Sequence, residues 1–336
     1  MQSSPPTPQS TDGFHEPRRE DCPWCGSTSL RTRLRAPGTL RYGSGTFVVD
    51  ECRDCAHAFQ NPRLTAEGLA FHHRDFYEGT VEGTADFAER IPAARTRRRH
   101  HRAAARAVLT LPDPESREPE SWLDVGTGHA HFPETARELF PYTAFDGLDP
   151  TERVERARAA GHVEEAHLGH LTTPEVLARL SSRYDVVSMF HHLEHTPDPR
   201  AELRAALTAL RPGGHLLVEV PDPHSAFAVL LGKWWLPGGG PRHLHLLPLD
   251  NLRAELEAQG CAVVATDRRA AHLPYDLSTA LSLALAHLLP KRWLRVTTPL
   301  VAAATVLDHA LAPLLRRTRF SNAYRVIARK DTGPGA

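Results

Sequence analysis

From Ser121 onward the chain alternates short apolar runs with amphipathic stretches, and this rhythm constrains the fold more than any single residue. Apolar runs too short for helices, each followed by a stretch with helical periodicity, specify strands joined by helical crossovers, which build a parallel α/β sheet. The pattern predicts strands over 122–125, 142–148, 163–167, 184–190, 215–220, 262–266 and 323–329. Helices are predicted over 134–140, 152–160, 174–180, 200–210 and 250–259, with Gly260 capping the last. A longer apolar block, 274–319, separates the last two strands.

The sharpest local signal closes the first strand. SWLDVGTGHAHF (121–132) places Asp124, Gly126, Thr127 and Gly128 in a strand-to-helix turn, where a backbone without Cβ atoms lets a ligand approach the carboxyl edge of the sheet. A dinucleotide fingerprint would want a third glycine where Ala130 stands. The second strand ends in GLDP, so Asp149 and Pro150 follow the turn by about two dozen residues, as expected of a ribose-binding acid. Asp149 has a second reading as the N-cap of the helix ERVERARAA, and the two roles are compatible.

In order along the chain stand DVGTGHAHF, GLDP, YDVVSMFHHLEHTPDP, LRPGGHLLVEVP, PRHLHLLPLDNLRAELEAQGC and AYRVIARK. This series resembles the class I S-adenosylmethionine (SAM)-dependent methyltransferases over roughly 120–330. The resemblance implies an α/β, Rossmann-like sheet of seven strands with the seventh antiparallel. It also implies SAM held by Asp124, Gly126, Thr127, Gly128, Asp149 and Pro150, with Phe190 at the end of the fourth strand. The family often carries an Asp after the third strand for the adenine amino group; here HLGHL puts His170 at that place.

Two C-x-x-C pairs, Cys22/Cys25 and Cys52/Cys55, have the spacing of a zinc ribbon with four thiolates around one structural Zn²⁺, with strands supplied by 42–49. A redox pair would precede a helix in a thioredoxin-like pattern, which is missing. Cys261 is expected as a buried strand residue. The ribbon followed by FQNPRLTAEGLAFHHRDFYEG resembles the N-terminal module of small-molecule methyltransferases such as the sugar C-methyltransferases; ribosomal-RNA methyltransferases with a zinc knuckle are a second group. Residues 1–20 read as a disordered tail, 21–60 as the ribbon, 61–115 as connecting helices and 116–330 as the methyltransferase domain with its helical insertion at 274–319.

FHHLEHTPDP follows the fourth strand, where this fold meets the methyl acceptor. His191, His192, Glu194 and His195, joined by His243 or His245, are therefore expected to line the cleft; Tyr77 reads as an acceptor-side acid or base or as a packing residue of the connecting helices. An imidazole serves as a general base at neutral pH if the acceptor must lose a proton. Alternatively, His191, Glu194 and His195 hold a second divalent ion, as E-x-x-E-H does in the methyltransferases of quinone biosynthesis and small-RNA end modification that this segment resembles. A third reading is purely structural. H-x-x-E-H as a peptidase site would need one helix face, but these residues leave a strand and run into Pro197.

The 40 Lys and Arg balance the 40 Asp and Glu, which disfavours nucleic acid as a partner; the resemblance implies a small-molecule substrate, a sugar or specialised metabolite. RNA methylation is the alternative, carried by the ribbon and by RTRRRHHRAAAR (95–106), whose plain reading is a solvated helix face. KWWLPGGGPRHLHL (233–246) reads as an active-site loop or a packed surface loop. Leu277, Leu281, Ala284, Leu285 and Leu288 share a helical face, so the 274–319 block is expected as a helical lid, with a membrane-facing helix pair as the alternative. The 296–315 stretch has the length of a bilayer span, but Pro299, Asp308, His309 and Pro313 argue against a stable one. Residues 1–21 hold no apolar run of signal-peptide type, and the expected compartment is the cytoplasm.

Overall fold

The structure is a computed structural model that describes residues 14–37, 46–69, 87–111, 118–235, 237 and 243–332. Its main sheet is built from β4 (Ser121–Val125), β5 (Ala144–Asp149), β6 (Ala166–Leu168), β7 (Tyr184–Phe190), β8 (Leu210–Pro221), β10 (Cys261–Asp267) and β11 (Ala323–Lys330). The strand order is β10-β11-β8-β7-β4-β5-β6. β7, β4, β5 and β6 run parallel with β8, and β11 is antiparallel to both its neighbours. All seven predicted strands are present, and the seventh is the antiparallel one.

Between β4 and β7 the chain order reverses, and ligands in open α/β sheets bind beyond the carboxyl ends at such a switch point. Helices cover both faces, so the central strands read as nearly continuous apolar runs. Trp122, Leu123, Val187 and Met189 are fully buried, and the Trp122 indole N–H donates to Ser188 Oγ at 2.9 Å. The crossovers are α2 (His131–Ala136), α3 (Arg153–Ala159), α4 (Pro174–Leu180), α5 (Pro199–Ala209) and α7 (Leu249–Ala258). α5 begins where Asp198 accepts from the Ala201 amide. The earlier α1 (Phe87–Leu109) packs on α2, its Ala104 and Ala105 in one cluster with Trp122 and Phe132.

A second sheet departs from the expected boundaries. β1 (Leu30–Pro37), β2 (Thr46–Cys52) and β3 (Ala58–Gln60) form the ribbon, and β9 (His245–Leu246), from the catalytic half, completes it. The ribbon is thus no separate 21–60 unit: Cys22, Trp24, Cys52 and Phe59 share one core cluster with Leu247 and Leu252. β2 begins at Thr46, and the first part of the predicted 42–49 strand lies outside the described residues. Residues 14–20 of the expected 1–20 tail are described and make contacts, while 1–13 lie outside the described residues. His15 bridges Leu64, Arg18 meets Asp50 at 2.6 Å, and the Arg19 amide donates to Asn61 Oδ1 at 2.8 Å.

The 274–319 block is helical, with α8 (Asp276–Leu288), a 3₁₀ stretch (Lys291–Thr297) and α9 (Thr298–Leu315). It joins the carboxyl end of β10 to the start of β11, so it rises at the carboxyl edge of the sheet. Its base is fixed by Asp276, which accepts from Trp235 Nε1 at 3.0 Å and from Asn322 Nδ2 at 2.5 Å. Trp235 itself is buried, so at this position the 233–246 stretch is packed structure.

Strand pairing across β8 and β11 sets Glu219 opposite Arg325. Both are buried, and Arg325 Nε and a terminal nitrogen donate to Glu219 Oε2 at 2.9 and 2.6 Å. Removing one partner of a buried pair leaves the other charge stranded. Arg325→Met is expected to cost about 3–5 kcal/mol in urea unfolding. The half-exposed Arg211–Asp185 pair gives the control, with Arg211→Met costing about 1 kcal/mol or less.

Candidate active site

The turn after β4 is built on left-handed backbone. Gly126 (φ 74°), Gly128 (φ 55°) and Ala130 (φ 56°) all have positive φ, so the position where the family prefers a third glycine demands that conformation even of alanine. The Gly126 amide donates to Leu148 O at 2.8 Å and the Gly128 amide to Asp149 Oδ2 at 3.0 Å, which seats the turn on the end of β5. Gly147 makes this approach feasible, because a Cβ there would lie 2.7 Å from Thr127 Cγ2. Asp149 also receives the Thr151 amide at 2.9 Å on Oδ1, an Asx turn; it is not the N-cap of the following helix, which begins at Arg153 after Glu152.

Asp124 is buried under this turn and accepts from Ser188 Oγ at 2.6 Å; burial raises its carboxyl to about 6 despite that bond. At the far end of the cofactor edge, Pro150 and His170 are exposed. Phe190 is half-buried with its ring centroid 4.4 Å from that of Phe132. This set fits the adenosyl end of SAM. Beyond Gly128 the space is open, with Arg153 as the nearest side chain at 3.9 Å from a would-be Cβ, and the Asp149 carboxylate lies beside the turn at the end of β5.

The loop after β7 sorts its histidines into different roles. His191 has φ 49°, a strained conformation for a residue with a Cβ. Its ring lies between two buried carboxylates, Nδ1 3.2 Å from Glu194 Oε1 and Nε2 3.4 Å from Glu219 Oε1. Burial disfavours the charged ring, but the two carboxylates outweigh it and push His191 up to about 10, so it is an imidazolium at neutral pH. Held between these carboxylates, His191 stands apart from the group of ligand atoms that lie within metal-binding reach of one another at this loop. His192 departs from the acceptor-side expectation too. It tucks beneath the cofactor turn, Nε2 2.9 Å from Glu202 Oε1.

His195 and His243 do come together, ring centroids 4.7 Å apart. One ligand atom from each, with one from the buried Glu194, all lie within 4.8 Å of one another. The metal-competent trio is therefore Glu194, His195 and His243, without His191. His245 belongs elsewhere: it is buried in β9, its Nδ1 3.0 Å from His57 Nε2, and burial lowers it to about 4. Tyr77 lies outside the described residues. A different tyrosine, Tyr275, lies in the field of Asp276, Glu194 and Glu219; burial and these carboxylates hold its phenol well above the usual range.

Sequence reading missed Ser188, Glu202, Glu219, Tyr275 and His100. His100 Nε2 meets Glu219 Oε1 at 2.5 Å from inside the run read as a solvated arginine face. The signal was available: His100 lies one turn before Ala104, on the face of α1 opposite the arginines.

At the ribbon, Cys22 Sγ lies 3.7 Å from Cys55 Sγ, and Cys25 Sγ 3.5 Å from Cys52 Sγ. Four sulfurs at Zn–S bonds of about 2.3 Å in a tetrahedron stand about 3.8 Å apart, so the thiols already hold the spacing of a metal site. Cys261 is a buried strand thiol, raised to about 11 by burial.

The family model for the methyltransferase domain matches residues 95–266, just over half of the chain. The chain belongs to the methyltransferase family. Its domain is of the class I SAM-dependent methyltransferase type. Among curated proteins the enzyme is 32% identical over 127 residues to a ubiquinone biosynthesis O-methyltransferase of Aeromonas salmonicida, covering 37% of this chain and 53% of that protein. To the protein of the same name from Cronobacter sakazakii it is 38% identical over 96 residues, covering 28% and 39%. The enzyme thus spans about half the length, or less, of these relatives. A solved SAM-dependent methyltransferase from Archaeoglobus fulgidus aligns with 18% identity and a TM-score of 0.43, over 73% of this chain and 100% of that one.

The glycine turn generates a direct prediction. A Cβ on Gly126 would lie 2.6 Å from His192 Nδ1 and would also have to adopt φ 74°. Gly126→Ala is expected to weaken SAM binding roughly tenfold or more by calorimetry, since left-handed strain alone costs about 1–2 kcal/mol. Gly161→Ala is the control, with φ 76° and nothing within 4 Å of its Cβ, and it should leave SAM affinity intact.

Proposed function

We propose that the enzyme methylates a hydroxyl group of a small-molecule acceptor, a sugar or specialised metabolite, with His195 as the group that takes the proton. The observation that carries this reading is the Glu194–His195–His243 cluster on the loop after β7, the same loop whose His192 touches the glycine turn at Gly126. The sulfonium donor is already activated, so transfer needs in-line placement and, for a hydroxyl, loss of one proton. The acceptor oxygen forms its bond to the methyl carbon as the sulfur–methyl bond breaks, S-adenosylhomocysteine leaves, and the proton goes to imidazole. The relatives' name as O-methyltransferases supports an oxygen acceptor. Arg98 and Arg102 both pair with Glu138 of the neighbouring helical segment, which gives the arginine run a packing role and supports a small molecule over RNA.

A divalent ion held by Glu194, His195 and His243 is the second reading, favoured by their mutual reach. Such an ion would polarise the acceptor oxygen. Assay against phenolic and sugar hydroxyl acceptors with labelled SAM tests the function. His195→Ala should lower kcat by about 10²–10⁴ while SAM affinity stays unchanged. Loss of turnover after dialysis against chelator, restored by Mg²⁺, would select the ion. Asp149→Ala should weaken SAM binding by about 1.5–3 kcal/mol, the worth of hydrogen bonds to a charged group; unchanged affinity would remove Asp149 from the ribose.

We also propose one structural Zn²⁺ held by Cys22, Cys25, Cys52 and Cys55, because the sulfur spacing fits and the set leaves no open position for water. Metal analysis of protein purified without chelator should find one zinc per chain. Cys52→Ser should lower the melting temperature, since Cys52 is fully buried in the core shared with the catalytic half. Absence of zinc would overturn the assignment.

A further inference from the structure

The helix pair α8–α9 lies outside the family-matched segment and is not used by the chemistry above. The two helices pack on each other, yet only Asp308 of α9 is buried. Leu288, Trp293, Val296, Leu300 and Val306 are all more than half exposed. Leaving so much apolar surface in water is costly, at about 25 cal/mol per Å².

The charges of this block are one-sided. Residues 274–319 contain six basic residues and two acids, in a chain whose charges balance overall. Both acids are buried and engaged: Asp276 accepts from Trp235 and Asn322, and Asp308 accepts from the Leu277 and Ser278 amides at 3.0 and 2.9 Å, capping α8. The block therefore shows no carboxylate to solvent. Lys291, Arg292 and Arg295 punctuate the stretch around Trp293, and Arg316, Arg317 and Arg319 follow α9 as exposed side chains.

We infer that α8 and α9 form a peripheral docking element for anionic lipid bilayers, with the apolar face around Trp293, Val296 and Leu300 entering the headgroup region and the flanking basic residues meeting lipid phosphates. An apolar helix face with a tryptophan and only basic charge is what an interfacial site requires. An anionic leaflet offers net negative charge directly above an apolar interior, which matches both the one-sided charge and the apolar surface of this block. α9 has the length and hydropathy of a membrane span, but its anchors set it on the surface instead. Asp308 ties its middle to α8, His309 Nε2 lies 3.2 Å from Thr96 Oγ1 of α1, and Leu315 packs against the cluster of Phe227 and Trp235. Docking in this orientation turns the carboxyl edge of the sheet toward the bilayer.

The test is co-sedimentation of the full chain with vesicles of phosphatidylcholine, with and without phosphatidylglycerol. The expected result is binding to the anionic vesicles, weakened roughly tenfold or more on pure phosphatidylcholine or in high salt. The Val296→Asp/Leu300→Asp variant should lose vesicle binding while SAM binding by calorimetry is unchanged, which shows that the fold is intact. Three outcomes would overturn the proposal: no binding to anionic vesicles, equal binding by the variant, or wild type that resists alkaline extraction as a spanning helix does. A wild-type dimer that becomes monomeric in the variant, with no vesicle binding by either, would assign the face to a second copy of the chain.

Discussion

A single carboxylate, Glu219, organises the edge of the site. It stands near the end of β8 with no exposure to water, and its two oxygens are divided between different parts of the molecule. Oε2 receives Arg325 from β11; Oε1 receives His100 from α1 and lies 3.4 Å from His191 of the loop after β7. Burial alone would favour the neutral acid, but His100, Arg325 and His191 hold the carboxyl well below its ordinary range. An ion cluster of this kind adds little net stability compared with an apolar core, because its desolvation offsets its attraction. What it contributes is position, since none of its members can move without stranding charge.

The consequences run outward from His191. Its ring is fixed by Glu219 and Glu194, and its backbone is held left-handed, so the next four residues leave β7 in a fixed direction. His192 is thereby turned under Gly126, and Leu193 is buried in the main core. His195 then emerges beside His243. The strained residue and the two spent histidines are the cost of presenting the third.

Much of this was legible in the sequence, and the unread parts share a cause. Glycines and acids at strand ends are signals of backbone geometry, so Gly126, Gly128 and Asp149 announce the turn and the strand that contain them. Strand periodicity likewise gave all seven members of the main sheet. Glu219 carries no such local signal, and the helical spacing that puts His100 on the Ala104 face of α1 says nothing of its partner. Only the pairing of α1 with β8 brings the two together across 119 positions. The same holds for β9, which has two residues and no alternation to detect; it is a strand only because β3 offers it an edge. His191 and His192 look alike in sequence and differ only in the carboxylates that tertiary structure brings to them.

That short strand also explains why a ribbon belongs on this enzyme. β3 pairs with β9 through Ala58–Leu246 and Phe59–His245, and the residue just before β9 links both halves. Leu244 donates its amide to Glu194 O at 2.8 Å and accepts from the Gln60 amide at 3.0 Å, so one residue ties the loop after β7 to the ribbon. His243 is its immediate neighbour in the chain. The four cysteines fix the ends of the ribbon's strands, β3 carries that order to Leu244, and Leu244 carries it to Glu194 and His243. Order imposed at the ribbon is in this way transmitted through backbone hydrogen bonds to two members of the acceptor-side cluster.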